Sequence, residues 1–146
     1  MKLVVQRVKS ARLTVEGEEI SKIGKGLAIY VGVGAGDEER EADKLAEKVV
    51  KLRVFEDENG KMNLSVQDVG GEILSISQFT LYADVSRGNR PGFSGAERPE
   101  RANELYEYFT KKIASLGVPV QKGVFGADMK IEQLNDGPVT IIYDGI

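Results

Sequence analysis

The sequence predicts an α/β fold: a mixed, curled, barrel-like β-sheet with two main helices packed on it. Apolar, β-branched runs that follow glycine indicate buried strands, most clearly at residues 27–33 and 73–81. Residues 38–52 and 101–116 instead repeat apolar side chains at helical spacing, which predicts an amphipathic helix in each segment. The length suits one domain, so we expect a single domain over residues 1–146.

The elements before the first helix are predicted to be strands. Residues 2–15 form one long strand or two, and a turn then leads into a strand at residues 20–23. The continuous apolar run at 27–33 predicts a strand buried on both faces. Asp37 is a plausible N-cap of the helix at 38–52, because a carboxylate oxygen there can accept a hydrogen bond from the first turn.

Two short strands are expected after this helix, on either side of a hairpin turn at residues 57–60. The second helix follows Pro99, which suits a first helical turn, and ends before Gly117. A strand is predicted at 118–124. Asn135–Pro138 is typical of a hairpin turn, which would place the last strand at 139–143.

The run at 73–81 is unusual because it carries several polar side chains, among them Ser77, Gln78 and Thr80. On a regular strand Gln78 and Thr80 share one face and Ser77 lies on the other. These groups either bond to neighbouring backbone inside the core or form the floor of a site at the end of the strand. The run alone leaves both interpretations open.

Composition excludes several kinds of site. The chain contains neither His nor Cys, which removes Ser-His-Asp and Cys-His catalysis and most zinc ligands. A net charge of −3 argues against broad, nonspecific nucleic-acid binding, and we expect no DNA partner. No apolar run approaches the roughly 20 residues of a membrane span, and the N-terminus does not resemble a signal peptide. We therefore expect a cytoplasmic protein without a membrane partner.

Two loops are candidate binding elements. Arg87 and Arg90 lie in a long Gly- and Pro-containing loop and are the best local candidates to hold an anionic group, although a solvated surface loop is an equal alternative. Gly137 and Pro138 either belong to an ordinary turn or present backbone carbonyls at a fixed angle, since Pro fixes φ, Gly allows close approach and an X–Pro bond can be cis.

Six segments together resemble the bacterial D-aminoacyl-tRNA deacylases, also called D-tyrosyl-tRNA deacylases, essentially from end to end. These segments are Gln6-Arg7-Val8, Lys61-Met62-Asn63-Leu64-Ser65-Val66, Ser77-Gln78-Phe79-Thr80-Leu81, Arg87-Gly88-Asn89-Arg90-Pro91, Phe125-Gly126-Ala127-Asp128-Met129 and Asn135-Asp136-Gly137-Pro138-Val139-Thr140. Each motif is weak alone, but six in order are specific. Gly92 departs from the family pattern, in which we expect serine at this position in many relatives, and we assign it no chemical role.

The resemblance implies a hydrolase that cleaves the ester of D-aminoacyl-tRNA, and of glycyl-tRNA, in translational proofreading. It implies a tRNA partner, a homodimer and a pocket formed by Ser77 to Leu81. Gly137 and Pro138, joined by a cis peptide, would enter the pocket of the other subunit and exclude L-amino acids. Three further residues are carried over as substrate-binding candidates: Phe125, Met129 and Arg7.

The missing His and Cys are compatible with this chemistry, and no cofactor or metal is expected. An aminoacyl ester is already activated, and the ribose 2′-OH could position or activate water, so orientation and oxyanion stabilisation suffice. Backbone N–H groups near Phe79 and Thr80 are the oxyanion candidates. Thr80 is either a nucleophile or a hydrogen-bonding group, and the lack of a usual base favours the second. Alternative functions are a noncatalytic RNA- or ligand-binding module and a hydrolase of small esters.

Overall fold

The computed structural model describes residues 1–145 as a mixed sheet with two helices. The elements in chain order are β1 (Lys2–Val15), β2 (Glu18–Ile23), β3 (Gly26–Gly32), α1 (Glu39–Val50), β4 (Phe55–Glu56), β5 (Met62–Leu64), β6 (Glu72–Ser77), α2 (Pro99–Ser115), β7 (Val120–Lys122) and β8 (Met129–Asp144). The main sheet has the order β2-β1-β3-β6-β7, and β8 also pairs with β1. Because β6 is parallel to its neighbours while β1 is antiparallel to its own, the predicted mixed α/β architecture is confirmed.

The sheet is organised by β1, which is one continuous strand. Along one edge β1 pairs with β8 from end to end, and along the other it pairs first with β3 and then with β2. The register with β8 shifts on both sides of Val8. Before the shift Leu3 and Val5 pack in the core beneath the helices, whereas Val8 and Leu13 pack in a second apolar cluster. The bulges therefore change which apolar cluster the side chains of β1 enter, and they bend the β1–β8 pair so that the sheet curls.

Helix α2 is tied to β6 through polar groups in the core. The Ser75 and Thr110 hydroxyls are 2.9 Å apart, and the Tyr106 hydroxyl donates to the Ser75 carbonyl at 2.7 Å. Burial raises the pKa of Tyr106 to about 12. Ser75 therefore follows the core interpretation of the polar run, because its side chain is fully buried and hydrogen-bonded.

The predicted N-cap of the first helix is wrong by one residue. Glu38 caps α1, and its backbone N–H donates to the Glu41 side chain at 2.7 Å in a capping box. Asp37 is already engaged, since its carboxylate accepts from the Gly34 N–H and pairs with the Met1 ammonium, both at 2.7 Å. Within residues 1–145 no helix is long and apolar enough to cross a membrane.

The predicted hairpin turn at Asn135–Pro138 is also wrong, because β8 runs through it without reversing direction. Asn135 pairs with Val8, and Thr140 pairs with Gln6. The bulges on either side of Val8 accommodate the extra residues, including a proline that cannot donate to the ladder. Turn-forming residue types were present, but long-range pairing with β1 decided the local structure.

Candidate active site at the end of strand β6

A cavity of about 260 Å³ lies where β6 ends. One wall is formed by Ser77, Gln78 and Phe79, and the other by the segment 125–129 together with Ile131. The structure thus brings together five of the residues singled out in the sequence: Ser77, Gln78, Phe79, Phe125 and Met129. They come from segments more than forty residues apart, joined by the parallel pairing of β6 with β7.

The polar wall is built by a turn rather than by a longer strand. The sequence predicted a strand through residue 81, but β6 stops at Ser77 and Phe79–Tyr82 forms a 3₁₀ turn. The neighbouring strand β3 ends at Gly32, so the chain loses its ladder partner there. The Leu81 N–H donates instead to the Gln78 carbonyl at 3.2 Å. The turn leaves the Phe79 ring 54% exposed.

Two amide N–H groups at the start of this turn are free. The Gln78 N–H still donates to the Val31 carbonyl at 2.8 Å. Among residues 1–145, the N–H groups of Phe79 and Thr80 have no acceptor in the protein. Adjacent free N–H groups beside a cavity can bind an oxygen that gains negative charge during a reaction.

Thr80 is held by its neighbour rather than by a base. The Gln78 side-chain amide donates to the Thr80 hydroxyl at 2.5 Å. An amide does not accept a proton at neutral pH, so this contact orients the hydroxyl without activating it as a nucleophile. The arrangement favours the hydrogen-bonding role of Thr80.

The opposite wall is apolar apart from Asp128, and it packs against the helix layer. The Phe125 ring packs against Tyr106 of α2, with ring centroids 6.4 Å apart. Met129 begins β8 and lies against Gly123, where an added Cβ would come within 2.6 Å of the Met129 sulfur. Asp128 is the only carboxylate on the described cavity wall, and Lys130 pairs with it at 2.9 Å.

Comparison with known proteins identifies the family. A family model described as D-Tyr-tRNA(Tyr) deacylase matches residues 4–144. The chain belongs to the D-Tyr-tRNA(Tyr) deacylase family. The family resemblance predicted from the six sequence segments is thereby confirmed.

Named relatives of this chain are similar to it over nearly their whole length. A protein of Staphylococcus carnosus (strain TM300) named D-aminoacyl-tRNA deacylase is 58% identical over 144 residues, which are 99% of this chain and 95% of that protein. A protein of the same name from Geotalea daltonii (strain DSM 22248 / JCM 15807 / FRC-32) is 54% identical, over 99% and 96% of the two chains.

Solved structures match this chain as well. One named c-Myc DNA Unwinding Element Binding Protein has a TM-score of 0.94 and 43% identity, over 100% of this chain and 99% of that one. One named as a probable eukaryotic D-amino acid tRNA deacylase has a TM-score of 0.84 at 15% identity, over 97% of both chains. At that identity the second likeness supports the fold, including its nearly closed, barrel-like sheet.

Four residues expected at the site do not line this cavity: Thr80, which follows the wall residue Phe79, and Arg7, Gly137 and Pro138. Gly137 and Pro138 are exposed on β8, and the peptide between them is cis. Arg7 is 7% exposed, and it donates to the backbone carbonyls of Asp136 at 2.8 Å and Val54 at 2.6 Å. Arg7 thus holds the backbone before Gly137 and does not line the cavity.

Four residues that line the cavity were not predicted individually as site residues from the sequence. Gly126, Ala127 and Asp128 line the cavity, as does Ile131. The first three lie inside a segment that was recognised as a family motif, so that motif was the available signal. Ile131 had only the alternation of a strand, which does not distinguish a cavity wall from ordinary core.

Proposed function

We propose that this chain hydrolyses the ester bond of D-aminoacyl-tRNA at the cavity beside Ser77, releasing the D-amino acid and free tRNA. The proposal is supported by the names of relatives that are 54% and 58% identical over almost the whole chain. The structural observation that carries it is the pair of free N–H groups at Phe79 and Thr80 next to that cavity.

In the proposed reaction, the ester carbonyl oxygen accepts from these two N–H groups. Water adds to the carbonyl carbon, the bond to the ribose oxygen breaks, and the proton lost by water ends on that leaving oxygen. The N–H groups are fixed by the backbone, so they stabilise the oxyanion without reorganising. The Thr80 hydroxyl, oriented by Gln78, holds the ester or the water.

We further propose that Gly137 and Pro138 of one subunit close the cavity of a second copy and exclude L-amino acids. Both residues are exposed and do not line their own cavity, so they are free to serve another. An added Cβ at Gly137 would contact only the Val139 nitrogen of its own chain, at 3.3 Å, which leaves its outer side open. A wall on one side of Cα rejects an L side chain but accepts hydrogen, so glycyl-tRNA is cleaved as well.

The proposed homodimer uses the uncovered face of the sheet. Leu134 is 59% exposed and Ile142 is 68% exposed on β8, whose outward positions are not covered by a helix. Large exposed apolar side chains on an open sheet face are typical of an interface. The proposed dimer acts in the cytoplasm with tRNA. DNA is not included, because a net charge of −3 does not favour duplex binding.

Deacylation of matched esters tests the proposed activity. Wild-type protein should release D-amino acid and glycine from tRNA, and should leave the matched L-aminoacyl-tRNA intact. Equal cleavage of D and L esters would indicate a general esterase, and no cleavage with retained tRNA binding would indicate a noncatalytic module. Light scattering at the assay concentration should give the mass of a dimer.

Subunit mixing tests whether Gly137 serves the partner. Ala127→Phe fills the cavity of one subunit, and Gly137→Leu obstructs the wall that the other supplies. Each variant alone should be inactive. In a mixed dimer the Gly137→Leu subunit keeps an open cavity and receives an unaltered Gly137, so about one quarter of wild-type sites should recover after random reassortment. If Gly137 serves its own cavity, mixing restores nothing.

A further inference from the structure

The loop of residues 84–95, called here the arginine loop, is a built element beside the active site. Asp84 and Gly92 exchange two backbone hydrogen bonds of 2.8 and 2.9 Å, which close the base of its tip. The Asp84 carboxylate also accepts from the Ser86 N–H at 2.9 Å, and hydrogen bonds from Ser86 lower the pKa of Asp84. Its end is fixed, because the Gly95 carbonyl accepts from the segment that precedes α1.

The tip carries unpaired positive charge. Arg87 and Arg90 are both exposed, and neither forms a salt bridge with any residue in 1–145. The carboxylate nearest in sequence, Asp84, is occupied by Ser86. The chain as a whole has a net charge of −3, so this positively charged tip differs in sign from the protein as a whole. Guanidinium groups with free donors match phosphate oxygens in geometry and charge.

Aromatic surface connects the arginine loop to the cavity. The Phe93 ring lies 4.9 Å from the Phe79 ring between centroids, at an interplanar angle of 56°. Both rings keep exposed surface, 36% for Phe93 and 54% for Phe79. Because Phe79 also lines the cavity, the ring pair forms a continuous path from the reaction site to the loop.

We propose that the arginine loop binds the single-stranded 3′ end of the tRNA, with Arg87 and Arg90 on its phosphates and Phe93 against one of its bases. Sites for single-stranded nucleic acid combine cations that follow the backbone with aromatic faces on which bases stack. An apolar peptide could pack against the two aromatic rings, but it would give the guanidinium groups of Arg87 and Arg90 no negatively charged partner. This inference rests on the proposed deacylase function, and it assigns a substrate-binding surface to that site.

A pair of charge variants tests the arginines. Arg87→Gln/Arg90→Gln removes two positive charges from the loop, and Lys48→Gln/Lys51→Gln removes two from the end of α1 as the matched control. On D-aminoacyl-tRNA, kcat/KM of the loop variant should fall about 10-fold while the control stays within about 2-fold. The loop variant should also show a salt dependence of log kcat/KM that is shallower by about 1.4, since each single-strand phosphate contact contributes about 0.7.

A minimal substrate separates the loop from the reaction. The D-aminoacyl ester of adenosine has no phosphate, so the loss caused by Arg87→Gln/Arg90→Gln should be at least about 5-fold smaller on it than on tRNA. Phe93→Leu should lower kcat/KM on tRNA at least about 5-fold, and Phe93→Tyr should retain it, because tyrosine keeps a ring for stacking.

Several results would overturn the inference. One is an equal fall of kcat/KM on tRNA and on the adenosine ester, and another is an equal fall in the loop and control charge variants. A third is a loop variant whose mass by light scattering differs from that of wild type, because the loop would then be a contact between copies. If wild-type protein cleaves neither ester, the proposed function fails, and binding of fluorescent uncharged tRNA decides the loop inference by itself. A Kd about 10-fold weaker for the loop variant than for the control would support it, and equal values would contradict it.

Discussion

Replacement of Thr80 distinguishes a hydroxyl that positions substrate or water from a covalent nucleophile, because the two roles predict very different losses of kcat/KM. The structure gives the Thr80 hydroxyl one side-chain contact among the described residues, the 2.5 Å hydrogen bond from Gln78. No His or Cys exists in the chain, and this partner is an amide, so no group at the contact can accept the hydroxyl proton. We therefore expect Thr80 to position the ester or the water rather than to form a covalent intermediate.

The expected loss follows from a single hydrogen-bonding group. Removing one such group costs about 1–3 kcal/mol, which corresponds to a fall of about 5- to 150-fold in kcat/KM. Thr80→Val removes the hydroxyl while keeping the branched shape, and Thr80→Ala removes both. Both should stay in this range, and Thr80→Ser, which keeps the hydroxyl, should remain within about 3-fold of wild type. Loss of a true nucleophile costs about 10⁶-fold in a serine hydrolase.

Single-turnover deacylation of D-aminoacyl-tRNA measures these variants. Because Thr80 is exposed, the substitutions should leave the free energy of unfolding nearly unchanged, which urea denaturation checks. Complete loss of turnover in folded Thr80→Val and Thr80→Ala would refute the positioning role. Mass spectrometry of a quenched reaction gives a second test, since an acyl group found on Thr80 would show covalent catalysis.

Three further outcomes are expected. Exhaustive chelation should leave activity intact, because residues 1–145 contain no cluster of three or more potential metal ligands; rescue of chelated enzyme by zinc or magnesium, with tRNA folding controlled, would contradict this. Gly137→Ala should lower activity several-fold, because its Cβ adds bulk to the proposed wall; full activity would place the wall elsewhere. The same Cβ would lie 3.3 Å from Val139 N of its own chain, a tight contact, so urea unfolding is the control for a loss of stability. Tyr106→Phe should be about 1 kcal/mol less stable at pH 8, through its lost bond to Ser75. Relative to Tyr106→Phe, wild type should lose about 2 kcal/mol of unfolding free energy between pH 10 and 12. Folding raises the Tyr106 pKa from 10.0 to about 12, so the unfolded chain releases this proton first. The stability difference between the two proteins, measured by urea unfolding, should therefore vanish near pH 11.

Elements with a strong local pattern were predictable from sequence. Helix α2 begins at Pro99 and ends before Gly117, as proline and glycine indicated. The errors occurred where a distant partner decided the structure. The end of β6 depends on where β3 stops, and the continuation of β8 through Asn135–Pro138 without a reversal depends on pairing with β1. Neither partner is visible in the local sequence.

The candidate site was predictable in part. Motifs near Ser77 and Phe125 identified both cavity walls, but not the 3₁₀ turn that frees the N–H groups of Phe79 and Thr80. That turn comes from backbone hydrogen bonding, which residue types alone did not indicate. The contact between the Phe93 and Phe79 rings was also missed, because the two residues lie in a turn and a loop with no shared periodicity.

The pairing of β1 with β8 has a consequence for folding during synthesis on the ribosome. Arg12 and Glu132, which face each other across this ladder, are 120 positions apart. A ribosome delivers β1 first, and during most of synthesis one edge of that strand has no ladder partner. The nascent chain can form the β1–β3 pairing early, but it must keep the other edge from joining a neighbouring chain until β8 emerges. The nascent chain is therefore open to edge-to-edge pairing along β1 for as long as β8 is missing.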